Sequence, residues 1–582
     1  MYSANFYRAT WLLTALDAGF WTAMPIKPNW IRHTASLLFS VYYLVFANQA
    51  DEKVRKIRAT ITVEQLRLSW QKVNTPVIKT MSQLLRPKIA IIKKVQIPRG
   101  DELAPVDAWL YFDGTPEELA NQEKIVISFP GGGFVSMSPR EHDDSHTAWA
   151  KKLGAPLLSI DYRKAPEHVY PYAIYECFDA YREVMTSKGA ALGMGMNKLR
   201  KVALVGDSAG GNYVAAVMLM LLENQSVPQI PLPSGLVLIY PFLDFNITSW
   251  MSADHLRLLR QESSKDFGVL NSKRHHERRK SSLKLSDLKS QAQESISRDQ
   301  KRTNKSNHSR TASADRNHER PLGTRVAMTS RVSFFQDRII SPDMMRAMAL
   351  LYIGPHNKPD FQTDYLLSPI LAPSDLLAKF PKTYFMCGEV DPFVDDTVIM
   401  AARIREAKQN AAQRRHDLAM SIPRSRTQDL SDDVEMTLVR GTSHGFLQMR
   451  AILPEARNSI ARCRSWMQDI LRDDPTPARP RRREKPNSIS TRSGKTKFTA
   501  GGESDDEPTP ATPKSPSSAK FMSGPPTPAP EASDINPVTG LKRGMTHDQW
   551  ENKHLMSQDE LLSNRKTAIT RTIVGNMHEG GI

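Results

Sequence analysis

Three short segments, far apart in the chain, hold the residue types that acyl-transfer chemistry needs. The sharpest is Gly206-Asp207-Ser208-Ala209-Gly210-Gly211-Asn212, directly after the apolar run Val202-Ala203-Leu204-Val205. Between a strand and a helix, G-x-S-x-G makes a turn tight enough to lift the serine hydroxyl clear of a sheet, and the glycines make that turn sterically open. The five-residue pattern alone is common. The strand before it, the full G-D-S-A-G-G and the helical run after it single out Ser208 as a nucleophile. A serine hydroxyl is a poor nucleophile near neutral pH, so it needs a base, and the base needs an acid to orient it. On such a turn the partners follow in the order acid, then histidine. Asp391 stands in Gly388-Glu389-Val390-Asp391-Pro392-Phe393-Val394-Asp395-Asp396, behind the strand-like Thr383-Tyr384-Phe385-Met386-Cys387. His444 stands in Gly441-Thr442-Ser443-His444-Gly445-Phe446, behind Met436-Thr437-Leu438-Val439. Asp395 and Asp396 are rivals to Asp391, although their place at a helix start suits capping.

A third segment, Phe129-Pro130-Gly131-Gly132-Gly133-Phe134, follows Ile125-Val126-Ile127-Ser128. A glycine run lets backbone N–H groups converge on a developing oxyanion, and losing one such donor costs on the order of 3 kcal/mol of transition-state stabilisation. Gly132 and Gly133 are the expected donors, with the N–H of Ala209 as the third. A glycine triplet is weak evidence alone; its place upstream of the nucleophile strengthens it.

The elements that must position these residues are short apolar runs alternating with helical ones. Ile89 to Ile97 and Val106 to Phe112 suggest an opening hairpin, followed by strands at Ile125–Phe129, Leu157–Ile160, Val202–Val205 and Leu236–Tyr240. Helices are expected at Ile174–Lys188 and Asn212–Glu223, then at Met344–Ile353, Val398–Ala407 and Ile452–Leu471, with further strands at Thr383–Cys387 and Met436–Val439. That alternation predicts an α/β fold, a mostly parallel central sheet with helices on both faces. Before it, residues 1–88 are helical and apolar in patches. Neither Trp11–Met24, interrupted by Asp17, nor Leu37–Ala47 reaches the roughly 20 apolar residues a span needs, and no basic segment opens a signal peptide. The region is expected to cap the core, to lie on a lipid surface with Lys53, Arg55, Lys56 and Arg58 behind it, or to anchor in a membrane; the first two are compatible.

The 582 residues exceed one ordinary domain, but 39 are proline and only 40% are hydrophobic, so part of the chain lacks a core. The expected catalytic domain is 89–474, interrupted by disordered basic inserts at 255–334 and 411–433. A disordered tail follows at 475–582, with a short helix near 548–566. The net charge of +17 sits in these segments: Met251–Phe335 holds 19 Lys or Arg against 9 Asp or Glu, and Arg472–Ala500 holds 9 against 3. The rest of the chain is nearly neutral, and no recognisable module accompanies the basic stretches, which argues against a nucleic-acid partner. Cys177, Cys387 and Cys463 form neither a disulfide framework nor a metal pattern, which favours an intracellular, cytoplasmic setting.

Together these motifs resemble the hormone-sensitive lipase family of α/β-hydrolases. The likeness extends to Leu153-Gly154-Ala155-Pro156, Ser159-Ile160-Asp161-Tyr162-Arg163-Lys164-Ala165-Pro166-Glu167, Glu176-Cys177-Phe178 and Ser368-Pro369-Ile370-Leu371-Ala372-Pro373. It covers roughly Ile125–Tyr240 and Met344–Leu471. The resemblance implies an α/β-hydrolase fold and a serine ester hydrolase with Ser208, Asp391 and His444 as triad. It implies no metal or organic cofactor, and substrates among acylglycerols, sterol esters or related acyl esters. A lipid-droplet or endoplasmic-reticulum membrane surface is an expected partner. One departure stands out: the family's H-G-G-G is here Pro130-Gly131-Gly132-Gly133, which keeps the N–H donors but loses a histidine expected to brace the loop. Rival readings are a non-catalytic lipid-binding or receptor protein of the same fold, and an esterase or deacetylase for small acyl groups. Within the insert, Arg278-Arg279-Lys280-Ser281-Ser282 and Arg310-Thr311-Ala312-Ser313 suit a basophilic protein kinase, which would lower local positive charge. Replacing Ser281, Ser282 and Ser313 by alanine is expected to change localisation or activity in cells; no change in either would refute kinase control.

Overall fold

The two-residue period of the apolar runs decides which side of the sheet each residue faces. In β3 (Lys124–Phe129) Ile125 and Ile127 join one core cluster and Val126 the other; in β5 (Lys201–Asp207) Val202 and Leu204 are divided from Ala203 and Val205 in the same way. Strands apolar on both faces must be covered on both faces, and they are. The computed structural model describes residues 2–245, 330–473 and 553–564, except 60, 72–75, 101–102, 196, 198, 225–229, 332–333, 335–336, 419–432, 558 and 562.

Five helices open the chain: α1 (Ala4–Ala23), α2 (Asn29–Val45), α3 (Ala47–Arg58), α4 (Val63–Gln71) and α5 (Pro76–Leu85). The expected hairpin follows as β1 (Ile91–Ile97) and β2 (Val106–Phe112), antiparallel from Ile91 opposite Phe112 to Ile97 opposite Val106. Then come α6 (Pro116–Ala120), β3, α7 (Asp143–Leu153), β4 (Leu157–Asp161), α8 (Tyr172–Thr186), β5, α9 (Ala209–Glu223) and β6 (Gly235–Ile239). After the insert the order is α10 (Pro342–Ile353), α11 (Ser374–Leu377), β7 (Lys382–Gly388), α12 (Val394–Leu418), β8 (Val434–Val439), α13 (Pro454–Ile470) and β9 (Leu555–Met556). The sheet order is β1-β2-β4-β3-β5-β6-β7-β8-β9, parallel from β4 through β8. Apolar residues of α8 and α9 belong to one core cluster and those of α7 and α13 to the other. The sheet is therefore the mostly parallel, two-sided one that the alternation predicts.

Three boundaries differ from the sequence-based expectation. Ser330 and Arg331, placed within the first insert, are buried and bonded. The Ser330 N–H donates to Asp395 (2.9 Å) and the Arg331 guanidinium to Asp396 (2.7 Å). Core packing resumes there because two buried carboxylates need donors. The second insert was expected from residue 411, but α12 continues to Leu418; alanine, glutamine and arginine at 411–415 are good helix formers. The remainder of both inserts, with Ser281, Ser282 and Ser313, lies outside the described residues. In the tail, where a short helix was expected near 548–566, residues 553–554, 559–561 and 563–564 are helical, but Leu555 and Met556 pair as a strand with Val439 and Leu438. The exposed edge of β8 offers unpaired backbone groups, and the pairing is reinforced by the Arg440 N–H to the His554 carbonyl (2.8 Å) and by Arg440 with Glu560 (2.5 Å).

Trp149 of α7 locks that face of the sheet. It is buried and its indole N–H donates to the Ile460 carbonyl of α13 at 2.9 Å. Trp149→Ala removes a buried aromatic and its added hydrogen bond to the helix, and is expected to cost about 3–5 kcal/mol in urea unfolding.

Candidate active site

Ser208 sits where β5 ends and α9 begins, with φ +55° and ψ −119°. A positive φ in a non-glycine residue costs on the order of 1–3 kcal/mol, so the neighbours must enforce it. They do so by contact: a Cβ on Gly206 would stand 2.3 Å from the Gly210 carbonyl oxygen, and one on Gly210 would stand 1.8 Å from that of Phe129. Only hydrogen fits at either position. The Ser208 N–H donates to the Ile239 carbonyl (2.9 Å), which fastens the turn to the neighbouring strand.

Asp391 and His444 lie in the loops after β7 and β8, at the same end of the parallel strands as Ser208, where open α/β sheets gather their functional groups. His444 Nε2 is 2.9 Å from Ser208 Oγ, and its Nδ1 is 3.0 Å from Asp391 Oδ2. All three side chains are buried. The Phe393 N–H holds Asp391 Oδ1 at 2.8 Å, and the His444 ring meets Tyr240 and Phe393 edge-on at centroid distances of 4.8 and 5.0 Å. Burial by itself would push the His444 imidazole down; the Asp391 carboxylate beside it more than offsets this and holds it above the ordinary histidine value. Asp395 and Asp396, the rivals, lie in the first turn of α12. They accept from Ser330, Leu243, Asp244 and Arg331, and so tie down both ends of the insert.

Gly132 takes φ +129° and Gly133 φ +60°, in the left-handed region that glycine favours. Among the described residues the N–H groups of Gly132, Gly133 and Ala209 reach no protein acceptor, which leaves all three available for an anion. Ala209 heads α9, whose N-terminus adds its dipole to the same place. Where the missing histidine was expected to leave the loop unbraced, two other groups hold it. The Tyr162 hydroxyl donates to the Pro130 carbonyl (2.6 Å), and the Gly131 N–H donates to Asp207 Oδ1 (2.8 Å).

Asp207 belongs to a buried chain that sequence reasoning missed. Its carboxylate lies 3.2 Å from His142 Nε2; His142 stacks on His146, which approaches Ser128 Oγ at 3.3 Å. Burial opposes charge on both partners, but their mutual attraction prevails, so His142 is raised and Asp207 lowered. Asp337 was also missed. Buried beside the histidine loop, it accepts from the Ser443 hydroxyl, from the N–H groups of Ile339 and Ile340 (2.9 Å each) and from Tyr2 (3.0 Å). Asp207 could have been found as the second residue of G-D-S-A-G. Asp337 carries no local signal, because its role depends on Ser443, more than a hundred residues away.

The N-terminal helices cover this end of the sheet. The Ser3 N–H donates to the Gly441 carbonyl (2.8 Å), and Arg67 of α4 to the carbonyls of Val135 and Ala165 (3.0 Å each). Between them and the core lies a cavity of about 330 Å³, lined by Leu13, Trp21, Ile57, Leu66, Met344 and, next to the catalytic-type histidine, Gly445. That volume falls at the small end of the roughly 300–1,000 Å³ range of small-molecule pockets. Met348 of α10 stands over the loop: its Sδ would be 1.9 Å from a Cβ on Gly133.

Comparison with known proteins agrees with this architecture. A family described as alpha/beta hydrolase fold matches residues 126–289 and 320–419. Hormone-sensitive lipase of Ictidomys tridecemlineatus is 38% identical over 126 residues, 22% of this chain and 16% of the lipase. That of Mus musculus is 23% identical over 457 residues, 61% of this chain and 55% of the lipase. The chain thus spans little more than half of the curated relatives at most. Among solved structures, a Pyrobaculum calidifontis esterase is similar at 21% identity and a TM-score of 0.45, covering 71% of this chain and 94% of the esterase.

The charge relation of the pair can be tested without any substrate. Asp391→Asn removes the main opposition to burial, so the His444 imidazole is expected to titrate at a lower pH than in the wild type. Nitrogen-15 NMR of the ring reads this directly, and an unchanged or higher midpoint would contradict the assignment.

Proposed function

We propose that the chain is a hormone-sensitive-lipase-like α/β-hydrolase and, on that premise, a serine carboxylic-ester hydrolase acting on lipid esters. The single observation that carries the proposal is the continuous chain Ser208 Oγ, His444 Nε2, His444 Nδ1, Asp391 Oδ2, linked at 2.9 and 3.0 Å beside three free N–H groups. The names of the relatives support ester hydrolysis. For the lipid portion, the support is the apolar part of the cavity lining beside Gly445, from Leu13, Trp21, Ile57, Leu66 and Met344, which shares the cavity with charged side chains such as Asp17, Arg58 and Arg86.

In the proposed reaction Ser208 Oγ attacks the ester carbonyl carbon while His444 Nε2 takes the hydroxyl proton. Asp391 holds the proton on Nδ1 and stabilises the imidazolium. The carbonyl π pair moves onto oxygen, where the N–H groups of Gly132, Gly133 and Ala209 stabilise it. As the tetrahedral intermediate collapses, the bond to the alkoxy oxygen breaks and His444 gives that oxygen its proton, which releases the alcohol. Water then attacks the acyl-Ser208 ester by the same route and the carboxylic acid leaves. Since His444 must be neutral to accept the proton, turnover is present above its midpoint and lost as pH falls through it. The Asp391 carboxylate raises that midpoint, so the acid limb lies on the high side of an ordinary histidine.

Two substitutions with a panel of esters test the reading. Ser208→Ala is expected to abolish turnover of every ester, from short acyl to diacylglycerol and sterol ester, with the melting temperature unchanged; retained turnover overturns the assignment. Asp391→Asn is expected to lower kcat by about 10⁴-fold through loss of the correct tautomer. A preference for acetyl over long acyl chains would favour a small-acyl esterase instead.

A further inference from the structure

α2 is built inside out. Against the protein it turns small polar residues: Ser36 and Ser40 are its buried positions, and the Ser40 hydroxyl donates to the Ser36 carbonyl at 2.7 Å. They meet Gly19 of α1 so closely that a Cβ there would lie 2.2 Å from Ser40 Oγ and 2.6 Å from the Ser36 carbonyl oxygen. Towards solvent it turns Trp30 (74% exposed), Leu38 (68%), Val41 (62%), Tyr42 (42%) and Val45 (74%). Positions 30, 34, 38, 41 and 45 follow the three- and four-residue steps of one helical stripe. Thr34, its polar member, returns its hydroxyl to the Trp30 carbonyl at 2.9 Å.

A helix of a water-soluble protein does the reverse, with its apolar stripe inward. Small residues at the helix–helix contact and large apolar ones outward are the pattern of helices that pack in lipid. Yet α2 has 17 residues, about 26 Å at 1.5 Å per residue, and among the described residues no helix is long and apolar enough to cross a membrane. A short apolar stripe with an aromatic ring at Trp30 and another at Tyr42 suits the plane of the interface. Lys27 lies just before α2, and Lys53 and Arg55 lie on α3. All three reach solvent, and none has an ion-pair partner among the described residues. Positive charge beside an apolar stripe is complementary to anionic headgroups.

We propose that the outward face of α2, with Lys27, Lys53 and Arg55, docks the protein onto an anionic phospholipid surface. The helix lies in the headgroup plane. α1 stands between this face and the cavity, presenting Gly19 to α2 and Leu13 and Trp21 to the cavity, so the docked chain holds its cavity one helix away from the lipid. The proposal deepens the lipid-ester reading by naming the surface from which such esters are drawn.

The test uses the full chain and vesicles of phosphatidylcholine with or without phosphatidylserine. Wild type is expected to cosediment with the phosphatidylserine vesicles at least about tenfold more strongly than with neutral ones, and less so at high salt. The triple variant Leu38→Asp/Val41→Asp/Val45→Asp is expected to lose that binding about tenfold while hydrolysing a soluble short-chain ester within about twofold of wild type. Lys27→Glu/Lys53→Glu/Arg55→Glu, which leaves the apolar contacts untouched, is expected to lose the preference for phosphatidylserine. Equal binding by wild type and the triple variant overturns the proposal. So does a wild type that ignores vesicles, or one that is a dimer in solution and becomes monomeric on the triple substitution. Ser208→Ala is expected to bind vesicles like wild type, so a failed esterase reading and a failed docking reading give different results.

Discussion

The closure of the turn between β5 and α9 is the constraint on which the site depends. Gly206 and Gly210 approach each other and the Phe129 carbonyl at distances that exclude a Cβ, and this contact forces Ser208 into a conformation that a side-chain-bearing residue avoids. The strain has a geometric return. It puts Oγ at the C-terminal rim of the sheet and sets the Ala209 N–H beside it at a helix start. Because Phe129 ends β3, the same contact fixes how near the loop of Gly132 and Gly133 can come. Nucleophile and anion donors are therefore positioned by one steric event.

Around that turn the polar groups are buried, and burial makes their partners decisive. His444 is held between the carboxylate of Asp391 and the serine, with aromatic edges from Tyr240 and Phe393 closing the space. The loop that begins at Pro130 illustrates the same logic. A histidine there would have been one way to brace the backbone; Tyr162 on the carbonyl of Pro130 and Asp207 on the N–H of Gly131 are another. Proline can occupy the position because the bond it makes uses its carbonyl, and the donors that matter belong to glycines.

The N-terminal helices have two kinds of surface. One side is tied to the core through Ser3, Arg67 and the cavity lining. The other carries large apolar side chains into solvent, while serines and a glycine make the helix contact behind them. A single region thus packs against the core on one side and offers an apolar face on the other.

Much of this was legible in the sequence, because it is local. Alternating apolar runs gave the strands and their two faces, and G-D-S-A-G-G after a strand gave the turn, since the steric need for glycine is met within five residues. The order of serine, aspartate and histidine followed from the same local contexts. Other features were not legible. Sequence preferred Asp391 to Asp395 and Asp396 only through their place at a helix start; which carboxylate faces His444, and which accept from Leu243, Ser330 and Arg331, is a matter of distance in space. Asp337 and the pair His142–Asp207 owe their roles to partners distant in the chain. The inward serines of α2 and the strand at Leu555–Met556 run against what composition suggests, because both answer a neighbour: Gly19 in one case and the open edge of β8 in the other. Sequence determined what each segment can form, since propensity and sterics act over a few residues; tertiary structure alone decided which buried charges meet, since Coulomb attraction and desolvation depend on distance in space.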